Sequence, residues 1–322
     1  MLRKIAVQVL LVFFVFINAC SQTSQSSAKK DIELMLSLVK ISLTQQYFDK
    51  QKAADLVRIL TEMDNRKAFK NLSAHQAAEL ITQTLRKETH DKHFSVTVYP
   101  ANSPVENAAP AAKHNAAGVS DYRILAGNIG YMKWDFCLAN DAAFREFRHI
   151  LDTFSGCSKL IFDLSDNPGG DGASSAFLNQ FLYRDKGYQT LLRKRCTGEK
   201  EWHQSEVIFD YTDGPTFFDT PLYIITSKNT FSAAEYFALI AKEMKRATIL
   251  GETTAGAGNP GMSQGFRSPD TDTMIWLFIP NCQIITRSGY SLEGAGVEPD
   301  VPLKSDNRLQ ETLKYIAGNP VK

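Results

Sequence analysis

The chain has 322 residues, 43% of them hydrophobic and 22% charged, with 36 basic against 35 acidic side chains for a net charge of +1. That apolar fraction builds a core and excludes bulk disorder, and the charge balance leaves no basic surplus for neutralising phosphates, so no nucleic-acid partner is expected. Collagen-like and solenoid periodicities are absent, and the length suits two domains or one large domain with an appendage.

Residues 1–20 read as an export signal. Arg3 and Lys4 form a basic start, and the apolar run Ile5 to Ile17 is short for a membrane span but suits a signal core. Ile17-Asn18-Ala19-Cys20 resembles a bacterial lipoprotein cleavage box, with Cys20 as the lipidated residue. The alternative is plain cleavage after Ala19. Ser21 after the cysteine resembles the outer-membrane sorting pattern, which gives a cell-envelope location with a membrane partner through the lipid. Residues 21–30, rich in Ser, Gln and Ala, read as a flexible tether.

From Asp31 to about Glu88 the spacing predicts three short helices, the third opened by a Ser73/Gln76 capping box. Residues 31–90 are therefore expected as a helical bundle and 91–305 as the main core, with a C-terminal helix or tail over 306–322. Phe94, Val96 and Val98 alternate as in a half-buried strand, and 101–117 reads as a loop. Strands are then predicted over 129–136, 159–164, 222–226 and 247–250, with more strand within 274–285, and helices over 142–154, 173–183 and 232–245. Such alternation predicts an α/β layered domain.

Three loops after strands carry unusual residues. In Asp163 to Gly170 the glycines let backbone approach a ligand, and free N–H groups near a helix start suit an anion. Asn167 and Asp171 could support that loop, although turn chemistry explains both equally. In Thr226 to Glu235, Ser232 stands at a helix start, where serine is first of all a good N-cap and alternatively a nucleophile. A serine nucleophile needs a base, and His93 in Asp91-Lys92-His93 and the acid Glu293 in Leu292 to Asp300 are candidates too distant in sequence for spacing to join. His90 suits the end of the third helix, His203 and Trp202 a strand, and Arg193 to Arg195 a solvated face. No Cys/His spacing suggests a metal, no cofactor is expected, and Cys137, Cys157, Cys196 and Cys282 show no disulfide framework.

Taken in order, Asp91 to His93, Asp163 to Gly170, Thr230 to Glu235, Gly251 to Gly256 and Leu292 to Asp300 resemble the tail-specific (C-terminal-processing) serine protease family. The likeness is strongest to the branch holding the tricorn core and interphotoreceptor retinoid-binding protein. The resemblance implies a ClpP/crotonase-like β/α spiral core preceded by a small helical bundle. It implies Ser232 as nucleophile, His93 as general base, Glu293 as its orienting acid, and an oxyanion hole from the N–H groups of Gly169 or Gly170 and of Ala233. It implies peptide or unfolded-protein substrates cut through an acyl-enzyme. Ala257 occupies the place of the lysine base of typical members, which excludes a Ser–Lys dyad in that form. Lys92 stands where the tricorn core has serine. Only 99–120 is available between helices and core, so a PDZ domain is not expected. A non-catalytic carrier of an apolar ligand on the same fold is the alternative.

Overall fold

A computed structural model describes residues 26–101, 114–205, 207–209 and 213–319. The signal, Cys20, the first part of the tether and most of 101–117 lie outside the described residues. The helices are α1 (residues 26–46), α2 (Lys50–Asn65), α3 (Ala74–Thr89), α4 (Asp141–Thr153), α5 (Ala173–Leu182), α6 (Ala233–Glu243) and α7 (Arg308–Gly318). The strands are β1 (Ser95–Pro100), β2 (Val119–Leu125), β3 (Ile129–Trp134), β4 (Lys159–Asp163), β5 (Leu192–Cys196) and β6 (His203–Gln204). They continue with β7 (Leu222–Thr226), β8 (Ala247–Gly251), β9 (Gly261–Arg267), β10 (Thr273–Pro280), β11 (Cys282–Thr286) and β12 (Val301–Pro302).

The chain divides into two compact units, residues 1–107 with 261–281 and residues 108–260 with 282–322. This differs from the expected division at residue 90. Residues 91–100 and the 261–280 hairpin go with the helices, because β1 pairs with β10 and β10 with β9. Residues 26–30, expected as tether, form the first turn of α1.

In the first unit, Met35, Leu36, Val39 and Leu43 of α1 are buried at three- and four-residue spacing, with Leu56 and Leu60 of α2 and Ile81 and Leu85 of α3. Phe94, Val96, Ile275, Leu277 and Ile279 close the same core from the sheet. The capping box is present: the Gln76 N–H donates to Ser73 Oγ at 3.2 Å and the Ser73 N–H to Gln76 Oε1 at 2.9 Å. Thr82 stitches α3 to β1 by taking the Val96 N–H at 2.9 Å and donating to the Val96 carbonyl at 3.2 Å.

The second unit is built on a sheet of order β12-β8-β7-β4-β3-β2, parallel except for β2. Its central strands are apolar on both faces. Met132, Trp134, Leu160, Phe162, Leu222, Ile224 and Ile249 face a core shared with α4, α5 and α6. The alternate residues Tyr131, Ile161, Tyr223, Ile225 and Leu250 pack with Ile316 of α7. Beside it lies a small sheet of order β11-β5-β6. Arg193 to Arg195, expected as a solvated face, are half-buried members of β5, and Arg195 stacks over Trp202 at 4.7 Å. Cys196 and Cys282 sit opposite each other in that sheet and form a disulfide, while Cys137 and Cys157 are free and buried. The strand expected within 274–285 is present as two strands, β10 in the first unit and β11 in the second.

Candidate active site

β4 and β7 are parallel neighbours, so the loops that follow their carboxyl ends start side by side. The first is the glycine loop and the second ends at Ser232. Their backbones are locked together. The Leu164 N–H donates to the Ile225 carbonyl at 2.9 Å, Thr230 Oγ1 to the Leu164 carbonyl at 2.8 Å, and the Phe231 N–H to the Asn167 carbonyl at 2.9 Å. Ser227 Oγ donates to the Ser165 carbonyl. Below them Lys133 donates to Ser165 at 2.8 Å and Asp166 at 2.7 Å.

Ser232 is the N-cap of α6 and has φ 54° and ψ −121°, a left-handed conformation costly for a residue with a Cβ. It forms a sharp strand-to-helix turn after β7, a backbone conformation of the kind a nucleophile elbow uses. Gly169 lies against this turn. A Cβ added there would meet the Phe231 carbonyl oxygen at 2.7 Å, the Ser232 Cβ at 2.8 Å and the Ala233 nitrogen at 3.0 Å. Gly170 has φ 136°, and a Cβ there would strike the Cys137 carbonyl oxygen at 2.3 Å.

Asn167 is the hub of the glycine loop. It is fully buried; its Oδ1 takes the Gly169 N–H at 2.8 Å and its Nδ2 donates to the Trp134 carbonyl at 2.9 Å. The Gly169 N–H is therefore committed to a side chain. The expectation of Gly169 or Gly170 as oxyanion donor narrows to Gly170, whose N–H and that of Ala233 are uncommitted among the described residues. The Asn-x-Gly spacing was the readable signal for this turn.

Glu235, buried within α6, is a second hub. Its Oε2 takes the N–H groups of Ser232 at 2.8 Å and Ala257 at 2.9 Å. Its Oε1 takes the Gly256 N–H at 2.6 Å and the Thr254 hydroxyl at 2.5 Å. Burial pushes its carboxyl up, against the pull of these four donors. Glu293 grips the same loop further on, its Oε2 taking the N–H groups of Gly258 at 2.7 Å and Asn259 at 3.1 Å. Ser232 and Glu293 are thus both tied to residues 254–259, at whose centre Ala257 is fully buried.

His93 belongs to the first unit, on the turn between α3 and β1. It is 9% exposed, and its ring stacks on Phe278 of β10 at 5.6 Å. Its N–H donates to Asp91 Oδ1 at 2.9 Å, an Asx turn, and its Nδ1 lies 3.6 Å from the same oxygen. The site residues expected from sequence thus fall in two units: Ser232, Gly169, Gly170, Ala233 and Glu293 in one, His93 in the other. His90 caps α3 with φ 61°, and His203 is exposed on β6.

Comparison with known proteins agrees with this architecture. The carboxyl-terminal-processing peptidase 2 of Arabidopsis thaliana chloroplasts is 30% identical over 179 residues, 54% of this chain and 32% of that protein. The chain likewise spans well under half the length of the other curated relatives it matches. A lipoprotein from Streptococcus agalactiae superposes with a TM-score of 0.59 at 19% identity, over 89% of this chain and 96% of that one. The tricorn protease superposes with a TM-score of 0.57 at 12% identity, over 90% of this chain and 37% of that one. These likenesses bear on fold and agree with the expected ClpP/crotonase-like β/α core preceded by helices. The profile of peptidase family S41 matches residues 128–303, which spans the glycine loop, the Ser232 turn and the Glu293 loop, and on that match the chain belongs to peptidase family S41.

Proposed function

We propose that the protein is a serine endopeptidase that hydrolyses peptide bonds through Ser232, His93 and Glu293. The observation that carries this reading is the left-handed Ser232 turn pressed against Gly169, with the N–H groups of Gly170 and Ala233 uncommitted among the described residues. Strain of this kind persists where the surroundings over-determine it, and here the Ser232 N–H donating to Glu235 and the Phe231 N–H donating to the Asn167 carbonyl do so.

In the proposed mechanism His93 takes the Ser232 hydroxyl proton as Oγ attacks the carbonyl carbon of the scissile bond. The N–H groups of Gly170 and Ala233 hold the tetrahedral oxyanion at the positive end of α6. The C–N bond breaks as the imidazolium returns its proton to the leaving amine, and water hydrolyses the acyl-enzyme by the same route reversed. Glu293 steadies the imidazole. With Ala257 at the lysine position, His93 is the base this chain offers.

Labelling by a fluorophosphonate probe tests the reading. The protein should acquire one phosphonyl group on Ser232, and Ser232→Ala and His93→Ala should abolish labelling and peptide hydrolysis. Equal hydrolysis by Ser232→Ala rejects the mechanism and leaves the apolar-ligand carrier as the account to test. The Cys20 box supports a lipid anchor in the cell envelope, on the outer membrane; no described helix is long and apolar enough to cross a bilayer. Fractionation tests it, since Cys20→Ser should move the protein from the membrane to the soluble fraction.

A further inference from the structure

Asp91 has no role in the triad reading, yet it is more deeply buried than the histidine it accompanies, at 1% against 9% exposure. Buried carboxylates are held by specific partners. The last turn of α3 supplies one: the Arg86 guanidinium, whose Nε donates to the Phe94 carbonyl at 2.7 Å, interacts with the Asp91 charge, while the Asp91 backbone N–H is fixed on Thr89 Oγ1 at 3.1 Å. One Asp91 oxygen meets both ends of His93. It takes the backbone N–H at 2.9 Å, and it lies 3.6 Å from ring Nδ1. The second distance is too long for a hydrogen bond but suits attraction between a carboxylate and an imidazolium, and such contacts tighten when substrate binds. Phe278, stacked on the ring, limits its rotation.

We propose that Asp91 is a positioning residue for His93: it keeps the ring proton on Nδ1 and stabilises the imidazolium formed when Nε2 takes the Ser232 proton. The proposal rests on the reading of His93 as base. Asp91 itself gains and loses no proton. The carboxylate and the base ride on one turn of one unit, so the pair is preorganised before any other residue arrives. Glu293, whose Oε2 already holds two backbone N–H groups, then shares the orienting work rather than carrying it alone.

The test uses the whole protein and three variants. His93→Ala comes first: labelling of Ser232 at the wild-type rate would overturn the base reading itself, whatever Asp91 does. Asp91→Asn keeps an oxygen for the His93 N–H and removes the charge. It should fold with reduced stability, since a buried charge facing Arg86 is lost, and label more slowly by on the order of 10²-fold, less than the ~10⁴-fold seen when a sole orienting acid is lost. Glu293→Gln should slow labelling without moving the ring proton. Nitrogen-15 spectra of labelled histidine, with His93 assigned by difference, read the tautomer. Nδ1–H is expected in the wild type and in Glu293→Gln, and a mixture in Asp91→Asn. A wild-type labelling rate in folded Asp91→Asn overturns the proposal. So does Nε2–H in the wild-type spectrum, a result that stands even if Asp91→Asn does not fold.

Discussion

Glu235→Gln changes one oxygen to an amide nitrogen and leaves the shape of a buried side chain intact. The consequence follows from its four donors. With the new nitrogen at the Oε2 place, the N–H groups of both Ser232 and Ala257 face another donor. At the Oε1 place it faces the Gly256 N–H and the Thr254 hydroxyl, and only the hydroxyl can turn and accept. The second arrangement is the cheaper, leaving one backbone N–H unsatisfied. A buried unsatisfied donor costs about 1–3 kcal/mol, and weakening the charge-assisted bonds adds on the order of 1 kcal/mol. Glu235→Gln should therefore lower stability by about 2–4 kcal/mol, a large part of the roughly 5–15 kcal/mol of a typical domain. Urea denaturation followed by tryptophan fluorescence measures this as a lower midpoint at unchanged slope. Fluorophosphonate labelling should slow as well, because the Ser232 turn and the 254–257 loop share this carboxylate. A stability loss under about 0.5 kcal/mol would refute the reasoning. It would mean that burial already keeps Glu235 protonated, so that glutamine only copies the native state.

Gly169→Ala forces a Cβ to within 2.8 Å of the Ser232 Cβ at φ 92°. It should destabilise by about 2–4 kcal/mol and slow labelling on the order of 10²-fold, whereas Gly172→Ala, with nothing within 4 Å of the added Cβ, should change stability by less than about 0.5 kcal/mol in the same urea assay. The Cys196–Cys282 bridge closes a separation of 86 residues. Cys282→Ser should cost about 2–5 kcal/mol, and dithiothreitol should weaken the wild type but not the variant. Burial pushes the Cys137 thiol up to about 12 and also raises Cys157. Peptide mapping after iodoacetamide at pH 8 should find neither modified in native protein and both modified in urea; rapid alkylation of native Cys137 would contradict its burial.

Much of the second unit was legible from local pattern. The strands at 159, 222 and 247 and the helices between them announce themselves by apolar runs and turn residues, since each core strand is buried on both faces. The Ser232 turn carried a visible motif, but its left-handed backbone did not, because serine at a helix start is also an ordinary cap. The strand content of 274–285 was readable, but its division was not: the apolar run gives no sign that β10 and β11 pair with different sheets, and only partners remote in sequence separate them. Arg193 to Arg195 looked like a solvated face for a related reason: Arg195 packs over Trp202 and the strand pairs with β11, a partner remote in sequence. Cys196 and Cys282 pair because strand register sets them opposite, a relation invisible in their spacing.

The helical unit is discontinuous in sequence. Among the described residues two of its three strands, β9 and β10, are encoded after the whole of the β3–β8 region. On a ribosome the amino-terminal helices therefore emerge long before Ile275, Leu277 and Ile279 exist to cover Phe94 and Val96. Folding of this half must wait for the other half's chain to be made, which exposes an apolar face during synthesis and favours chaperone escort. An amino-terminal fragment ending near residue 101 would keep that face uncovered and tend to aggregate.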